Sequence, residues 1–154
     1  MNRKESPRIT TLKNLAGNYF TLSNGHLIEK PEETLRVVSI KEDYAEGNHP
    51  HKKSRVYITR KALKHFVESR KKELLKHHKE ADALLSIYFA IEQIPVTILY
   101  FDKYEFEVNP EKFFYTKYYQ GVPSIRILLT CPEEGILEIN SIHFTKSKKE
   151  NKNK

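Results

Sequence analysis

The chain of 154 residues is 38% hydrophobic and 31% charged, which is ordinary for one globular domain. A chain of this length can bury a hydrophobic core without disulfides or bound metals to stabilise it. Its single cysteine, Cys131, cannot form an internal disulfide, which excludes the framework of a small disulfide-rich secreted protein. The net charge is +7, and eleven of the basic residues lie between positions 52 and 79, so a polyanion is the expected partner.

The first fifty residues predict a small N-terminal β-hairpin appendage, 1–50. Asn24-Gly25 separates two short apolar segments and is typical of a two-residue hairpin turn, which needs positive φ at both central positions. Leu35–Ile40 is a predicted strand, and Gly, Asn and Pro then mark a loop before residue 55. His49 and His51 lie in that loop, but no third ligand is near them in sequence, so we expect no metal site.

Two helices are predicted after a short strand at Arg55–Ile58. Thr59 is a favourable N-cap for a helix over 60–78, whose apolar residues recur at helical spacing along one side. The second helix, over 82–93, is apolar nearly all round, which predicts a buried helix. Pro95 is expected to end it, because proline disfavours helical geometry in the residue before it.

Strands dominate the rest of the chain. They are predicted over 96–101, 104–108, 113–119, 125–130 and 136–145. A shift in apolar parity within the last strand predicts a β-bulge near Asn140 and Ser141. Helices followed by strands indicate an α+β fold, with two helices packed on an antiparallel four- to five-stranded sheet. We assign this domain to 51–149 and a disordered basic tail to 150–154.

No segment of the sequence favours export or insertion into a membrane. Residues 1–15 are polar, and the longest apolar run, near Ala83–Ala90, is too short to span a bilayer. We therefore expect a cytoplasmic location and no membrane partner.

His65 is the first candidate for acid–base catalysis. It lies on the polar side of the predicted helix beside Lys61 and Lys72, which are candidates for binding substrate phosphates. Histidine is the usual general acid or base at neutral pH. The alternative is that His65 simply faces solvent on a charged helix.

The C-terminal strands carry a second group of candidates. His143 and Thr145 share one face of the last strand and Lys146 follows directly, so an imidazole, a hydroxyl and an ammonium group could surround a phosphate. Arg126, in the preceding strand, could stabilise the added negative charge of a pentavalent phosphate transition state. The alternatives are a polar outer face on an edge strand, and an ordinary sheet arginine paired with a neighbouring glutamate.

Aromatic residues alternate with lysine within 113–119. Tyr115, Lys117 and Tyr119 could bind RNA by stacking on unpaired bases and contacting phosphates. The same pattern fits aromatic side chains that pack in the core or across neighbouring strands.

A longer pattern resembles a known superfamily. The segment Val56-Tyr-Ile-Thr-Arg-Lys-Ala-Leu-Lys-His65-Phe-Val-Glu-Ser-Arg is a strand followed by a helix with Leu-x-His. It resembles the opening of the phage-associated nuclease families in the barnase/EndoU/colicin/RelE superfamily. The helical segment ending at Ile94-Pro95 and the closing Ile142-His-Phe-Thr145-Lys-Ser-Lys-Lys are similar too. The resemblance covers roughly residues 55–149, and residues 76–79 lack the His-Pro element that the family often shows.

Members of that superfamily are metal-independent ribonucleases, often toxins, in which the 2′-hydroxyl attacks the adjacent phosphate. The resemblance implies that His65 is the acid–base residue, Arg126 the phosphate-stabilising residue, and Thr145 with Lys146 the substrate-positioning residues. It implies a barnase/RelE-like domain that acts on RNA without a cofactor. Residues 1–50 have no counterpart in the family and would be a module that docks on a partner protein.

Two other functions also fit the sequence. A non-catalytic nucleic-acid-binding phage accessory protein would use the same basic surface, since charge alone supplies affinity for phosphates. A protein–protein adaptor would carry the basic surface incidentally. Cleavage of RNA without added metal separates the ribonuclease from both alternatives.

Overall fold

The structure is a computed structural model that describes residues 6–22, 26–40, 49–51, 53–108 and 111–145. The helices are α1 (Pro7–Thr21), α2 (Arg60–Leu74), α3 (Glu80–Glu92) and α4 (Ile94–Leu99). The strands are β1 (Thr34–Ser39), β2 (Arg55–Thr59), β3 (Lys103–Glu107), β4 (Lys112–Lys117), β5 (Ser124–Glu133) and β6 (Ile136–Thr145). This set of elements confirms the predicted α+β class.

The six strands form one mixed sheet in the order β1-β2-β6-β5-β4-β3. All neighbouring strands are antiparallel except β2 and β6, which run parallel. The prediction of two helices on a purely antiparallel sheet of four to five strands was therefore wrong in its details. Strand patterns do not show that β2 pairs with a strand much later in the chain, so the parallel pair could not be predicted from them.

The helices cover one face of the sheet. Alternate residues of β5, namely Ile125, Ile127 and Leu129, are fully buried in one core with Leu63 of α2 and Ile87 of α3. Because side chains alternate along a strand, the residues between them lie on the opposite side of the sheet, which we call the outer face.

The N-terminal region contains a helix where the sequence predicts a β-hairpin. Ser6 caps α1 by accepting a hydrogen bond from the backbone N–H of Arg8 at 3.1 Å, and Pro7 fits the first turn. The buried residues of α1 recur at helical spacing: Ile9, Leu12, Ala16, Tyr19 and Phe20. The hairpin prediction was wrong because it gave weight to Asn24-Gly25, which lies outside the described residues, and overlooked this spacing.

Both α1 and β1 contribute side chains to the same core as the rest of the chain. Leu12 of α1 and Val37 of β1 are almost completely buried in that core. The predicted boundary near residue 50, and the separate domain over 51–149, nevertheless stay predictions.

Helix α2 begins where the sequence predicts. Thr59 Oγ1 accepts a hydrogen bond from the backbone N–H of Ala62 at 3.0 Å, and Leu63, Phe66 and Val67 form the buried side of the helix. The helix ends at Leu74 rather than at residue 78, because residues 75–79 are exposed and give it no further buried side.

The predicted strand over 96–101 was wrong, because α4 occupies most of it. Pro95 fits the first turn of α4, where a helix needs no backbone N–H, and Ile94 and Ile98 are buried one turn apart. By length and composition alone, the described helical stretch Glu80–Leu99 could cross a membrane. Core helices pass the same test, and α3 and α4 bury many of their side chains in the core.

Strand β6 spans Ile136–Thr145, as predicted. Leu128 of β5 is paired with Ser141, whereas the next residue of β5, Leu129, is paired with Ile139. Asn140 is therefore the extra residue of a β-bulge, which confirms the predicted irregularity. Without this bulge, His143 would share the buried face with Ile139, so the bulge turns His143 to the outer face.

Candidate functional site

The register of β5 and β6 places Arg126 and His143 side by side on the outer face. The two residues are direct partners in the strand pairing, and such partners have Cβ atoms about 5 Å apart. Ile142 and Phe144, on either side of His143 in sequence, belong to the core side. The strands therefore hold an imidazole and a guanidinium group together outside the core.

Helix α2 packs against the C-terminal half of β6. The rings of Phe66 and Phe144 meet edge to face with centroids 6.5 Å apart. The Arg70 guanidinium lies over the Phe144 ring, 5.5 Å from its centroid. These two contacts place the middle of α2 beside the strand that carries His143.

Positive charges from two other elements act on His143. Burial lowers the pKa of His143, and the positive charges of Arg70, Arg126 and His65 lower it further. The side chain still has an exposed surface. We call His65, Arg70, Arg126 and His143 the cationic cluster; it joins α2, β5 and β6.

Ser141 orients the His143 ring. Its Oγ lies 2.8 Å from His143 Nε2, and the two residues share the outer face after the bulge. In the tautomer in which Nε2–H donates to Ser141 Oγ, Nδ1 is left with a lone pair that can accept a proton. The imidazole is therefore positioned to act as a base through Nδ1.

Strands β3 and β4 hold Arg126. Its Nη2 donates to Glu105 Oε1 at 3.2 Å, and its guanidinium carbon lies 4.1 Å from the centroid of the Phe114 ring. The Arg126 side chain is 35% exposed, which leaves part of the guanidinium accessible to an anion. The ion pair with Glu105 agrees with the alternative interpretation of Arg126 as an ordinary sheet arginine.

His65 is exposed on α2 and lines an open pocket of about 500 Å³. The segment that contains His26 and Glu32 forms the other wall of this pocket. Lys61, one turn before His65, is exposed and lines the same pocket. Lys72 is exposed on the side of α2 that carries His65, two turns further along the helix. The predicted grouping of Lys61, His65 and Lys72 along one helix side is thus present.

The last predicted positions lie at the end of β6. Thr145 follows His143 on the outer face and is paired with Ser124 in the β5–β6 register. Lys146 lies outside the described residues.

Lys117 and Tyr119 already have partners within the protein. Lys117 Nζ lies 3.7 Å from Asp102 Oδ1. The Tyr119 hydroxyl donates to Gln93 Oε1 at 2.8 Å, and its ring meets that of Phe89 with centroids 5.8 Å apart. Burial raises the pKa of Tyr119. These contacts agree with the packing alternative for this strand.

Tyr115 is a core residue, so the prediction that it stacks on RNA bases was wrong. Its side chain is fully buried, and its Oη lies 2.5 Å from Nδ1 of His51. Nδ1 of His49 accepts a hydrogen bond from the His51 backbone N–H at 3.0 Å, while His49 Nε2 lies 2.6 Å from the carbonyl oxygen of Ile98. Burial raises the pKa of Tyr115 and lowers that of His51 to about 4. These histidines therefore hold residues 49–51 against the core.

Arg70 and Ser141 are not among the residues predicted from the sequence. Arg70 follows His65 by five positions, so helical spacing of three or four residues does not place the two together. Only the packing of α2 against β6 brings Arg70 to the cluster. Ser141 could have been predicted, because its position at the bulge and its i, i+2 spacing from His143 were both evident.

Within the part of the chain that the structure describes, no group of three or more His, Cys, Asp or Glu side chains could hold a metal ion. Comparisons of the chain with protein-family models, curated proteins and solved structures found no match. The function must therefore be inferred from the chemistry of the cationic cluster.

Proposed function

We propose that the protein is a metal-independent endoribonuclease whose active site is the cationic cluster. One observation carries the proposal: Arg126 and His143 lie side by side on the outer face, and the charges of Arg70 and His65, from the neighbouring helix α2, also act on His143. Two imidazoles can divide the acid and base roles of a proton-transfer reaction. Guanidinium groups bind phosphates and stabilise the charge that develops during transfer.

His143 is suited to act as the base. Its lowered pKa keeps the imidazole neutral at neutral pH, and in the tautomer in which Nε2–H donates to Ser141 Oγ, Nδ1 carries the lone pair that accepts a proton. His143 would remove the proton from a ribose 2′-hydroxyl while O2′ forms a bond to phosphorus. His65 would donate a proton to the leaving 5′ oxygen as the P–O5′ bond breaks. The products would be a 2′,3′-cyclic phosphate and a 5′-hydroxyl.

The surrounding basic residues would position the RNA strand. Arg70 and Arg126 would hold the phosphate that is cleaved, and Thr145 with Lys146 would bind the same or the next phosphate. Lys61 and Lys72 would add affinity for further phosphates of the RNA strand along α2. The net charge of +7 supports an RNA partner. The resemblance to phage-associated nucleases supports a toxin-like or phage-associated role and a barnase/RelE-like arrangement of the domain.

The proposal is tested by incubating the purified protein with total tRNA and mRNA in excess EDTA. We expect discrete fragments on a denaturing gel, and a loss of at least about a hundredfold in rate for His65→Ala and for His143→Ala. His77→Ala is the matched control, because His77 is also an exposed histidine near the end of α2. Intact RNA at micromolar protein, or full activity in both variants, would overturn the proposal.

The ion pair between Arg126 and Glu105 favours a second function, non-catalytic binding of nucleic acid. A guanidinium with a carboxylate partner is less available to a transition state, although it still adds positive surface. RNA binding that weakens steeply with salt, without cleavage, would support this second function. The absence of both activities would favour the protein–protein adaptor.

A further inference from the structure

An apolar pocket opens next to the cationic cluster. It has a volume of about 360 Å³ and lies between α2, α3, the turn before β5 and the end of β6. Most of its lining is apolar and comes from Leu74, Leu85, Phe89, Val122, Pro123 and Phe144. Leu85 is 62% exposed, Val122 44% and Phe89 37%, so large apolar side chains face solvent here. A group of large apolar side chains that are exposed side by side marks a binding site more often than an ordinary surface does.

Two residues connect this pocket with the cationic cluster. Phe144 lines the pocket and directly follows His143 in β6. Arg70 lies over the Phe144 ring and stands one helical turn before Leu74, another lining residue. The register of β6 with β2 ends at Ile139, and α2 contacts the following part of β6 through Phe66 and Arg70, which both meet the Phe144 ring. A phosphate held at Arg70 would therefore have the pocket beside it.

We propose that this pocket binds an unpaired base of single-stranded RNA while the cationic cluster holds an adjacent phosphate. The inference rests on the proposed function, because the phosphate site is the proposed active site. A volume of about 360 Å³ falls within the range of small-ligand pockets. The exposed aromatic ring of Phe89 offers a surface on which a base can stack. Bases in a duplex are not available for such a contact, so the preferred substrate is single-stranded.

The experiment measures binding without depending on cleavage. Two 2′-fluoro RNA hexamers, which lack the attacking hydroxyl, are compared: hexauridine and a hexamer with the same backbone but no bases. Both carry the same phosphate charge, so a difference in Kd reports contacts with the bases. We expect the wild type to bind hexauridine about tenfold more tightly than the hexamer without bases.

Phe89→Ala should remove most of this preference and leave the affinity for the hexamer without bases unchanged. Phe89→Leu keeps apolar volume at the site but lacks the ring, so it serves as a second variant that disturbs packing less. Phe106→Ala is the matched control, because Phe106 is another exposed aromatic residue, 46% exposed, and lies on β3. This control should retain the preference for hexauridine.

Equal affinity of the wild type for the two hexamers would overturn the inference, and so would an unchanged preference in both Phe89 variants. Binding of an apolar peptide at this pocket in place of hexauridine would also overturn it and would assign the pocket to a protein partner. A base preference in a protein that does not cleave RNA would sustain the inference while contradicting the proposed ribonuclease. Failure of the base-binding inference and failure of the proposed ribonuclease are therefore distinguishable.

Discussion

His143 owes its chemistry to three neighbours that lie far from it in the sequence. Partial burial and the charges of Arg70, Arg126 and His65 all favour the neutral imidazole. Removing the charge of one neighbour should therefore raise the pKa of His143 while the imidazole itself stays in place.

The acidic limb of the pH–rate profile tests this dependence. If neutral His143 is the base, cleavage is lost as the pH falls through its pKa, and the midpoint lies below the ordinary value of 6.5. Arg70→Gln removes a positive charge, so the midpoint should move upward towards 6.5. The measurement is kcat/KM against pH for wild type, Arg70→Gln and the control Arg8→Gln, which alters an exposed arginine of α1. A midpoint that does not move in Arg70→Gln would show that Arg70 does not act on the base.

At the scale of elements, α1 supplies part of the common core. Leu12 is 1% exposed, so Leu12→Ala should lower the free energy of unfolding by about 2–5 kcal/mol. Urea denaturation should show one transition at a lower midpoint. Leu27→Ala, at a residue that is 91% exposed, should change little. An unchanged midpoint in Leu12→Ala, or separate melting of α1, would instead support an independent N-terminal unit.

Elements with one dominant local signal could be predicted from the sequence. Thr59 and the apolar spacing after it fixed the start of α2, and the parity shift in β6 indicated the bulge. α4 was missed because Val96 and its neighbours favour a strand locally, whereas burial of Ile94 and Ile98 selects a helix. The pairing of Arg126 with His143 depends on the register between strands, which no local pattern specifies.

At the scale of the whole molecule, the buried histidines make stability depend on pH. The pKa of His51 is lowered to about 4, chiefly by burial and then by the charge of His49, whose own pKa burial also lowers. The unfolded chain takes up protons near pH 6.5, whereas the folded protein does not until about pH 4. Protons therefore favour the unfolded state, and stability falls as the pH drops from about 6.5 to about 4.

The free energy of unfolding should fall by about 1–2 kcal/mol across this window because of His51, once solvent screening of the part-buried ring is allowed for. Urea denaturation at several pH values measures the fall, and His51→Gln should reduce it. His77→Ala, which changes an exposed histidine, should leave the fall unchanged. An equal fall in wild type and His51→Gln would show that other groups cause it.

Cleavage of a defined single-stranded RNA in EDTA, with analysis of the new ends, tests the central claim most directly. We expect a 2′,3′-cyclic phosphate and a 5′-hydroxyl, the ends produced when the 2′-hydroxyl attacks. The same strand with a 2′-deoxy residue at the cleaved position should stay intact, as should the unmodified strand with His143→Ala. Cleavage of the deoxy strand, or no cleavage of the RNA strand by the wild type, would contradict the assignment of the cationic cluster as a ribonuclease site.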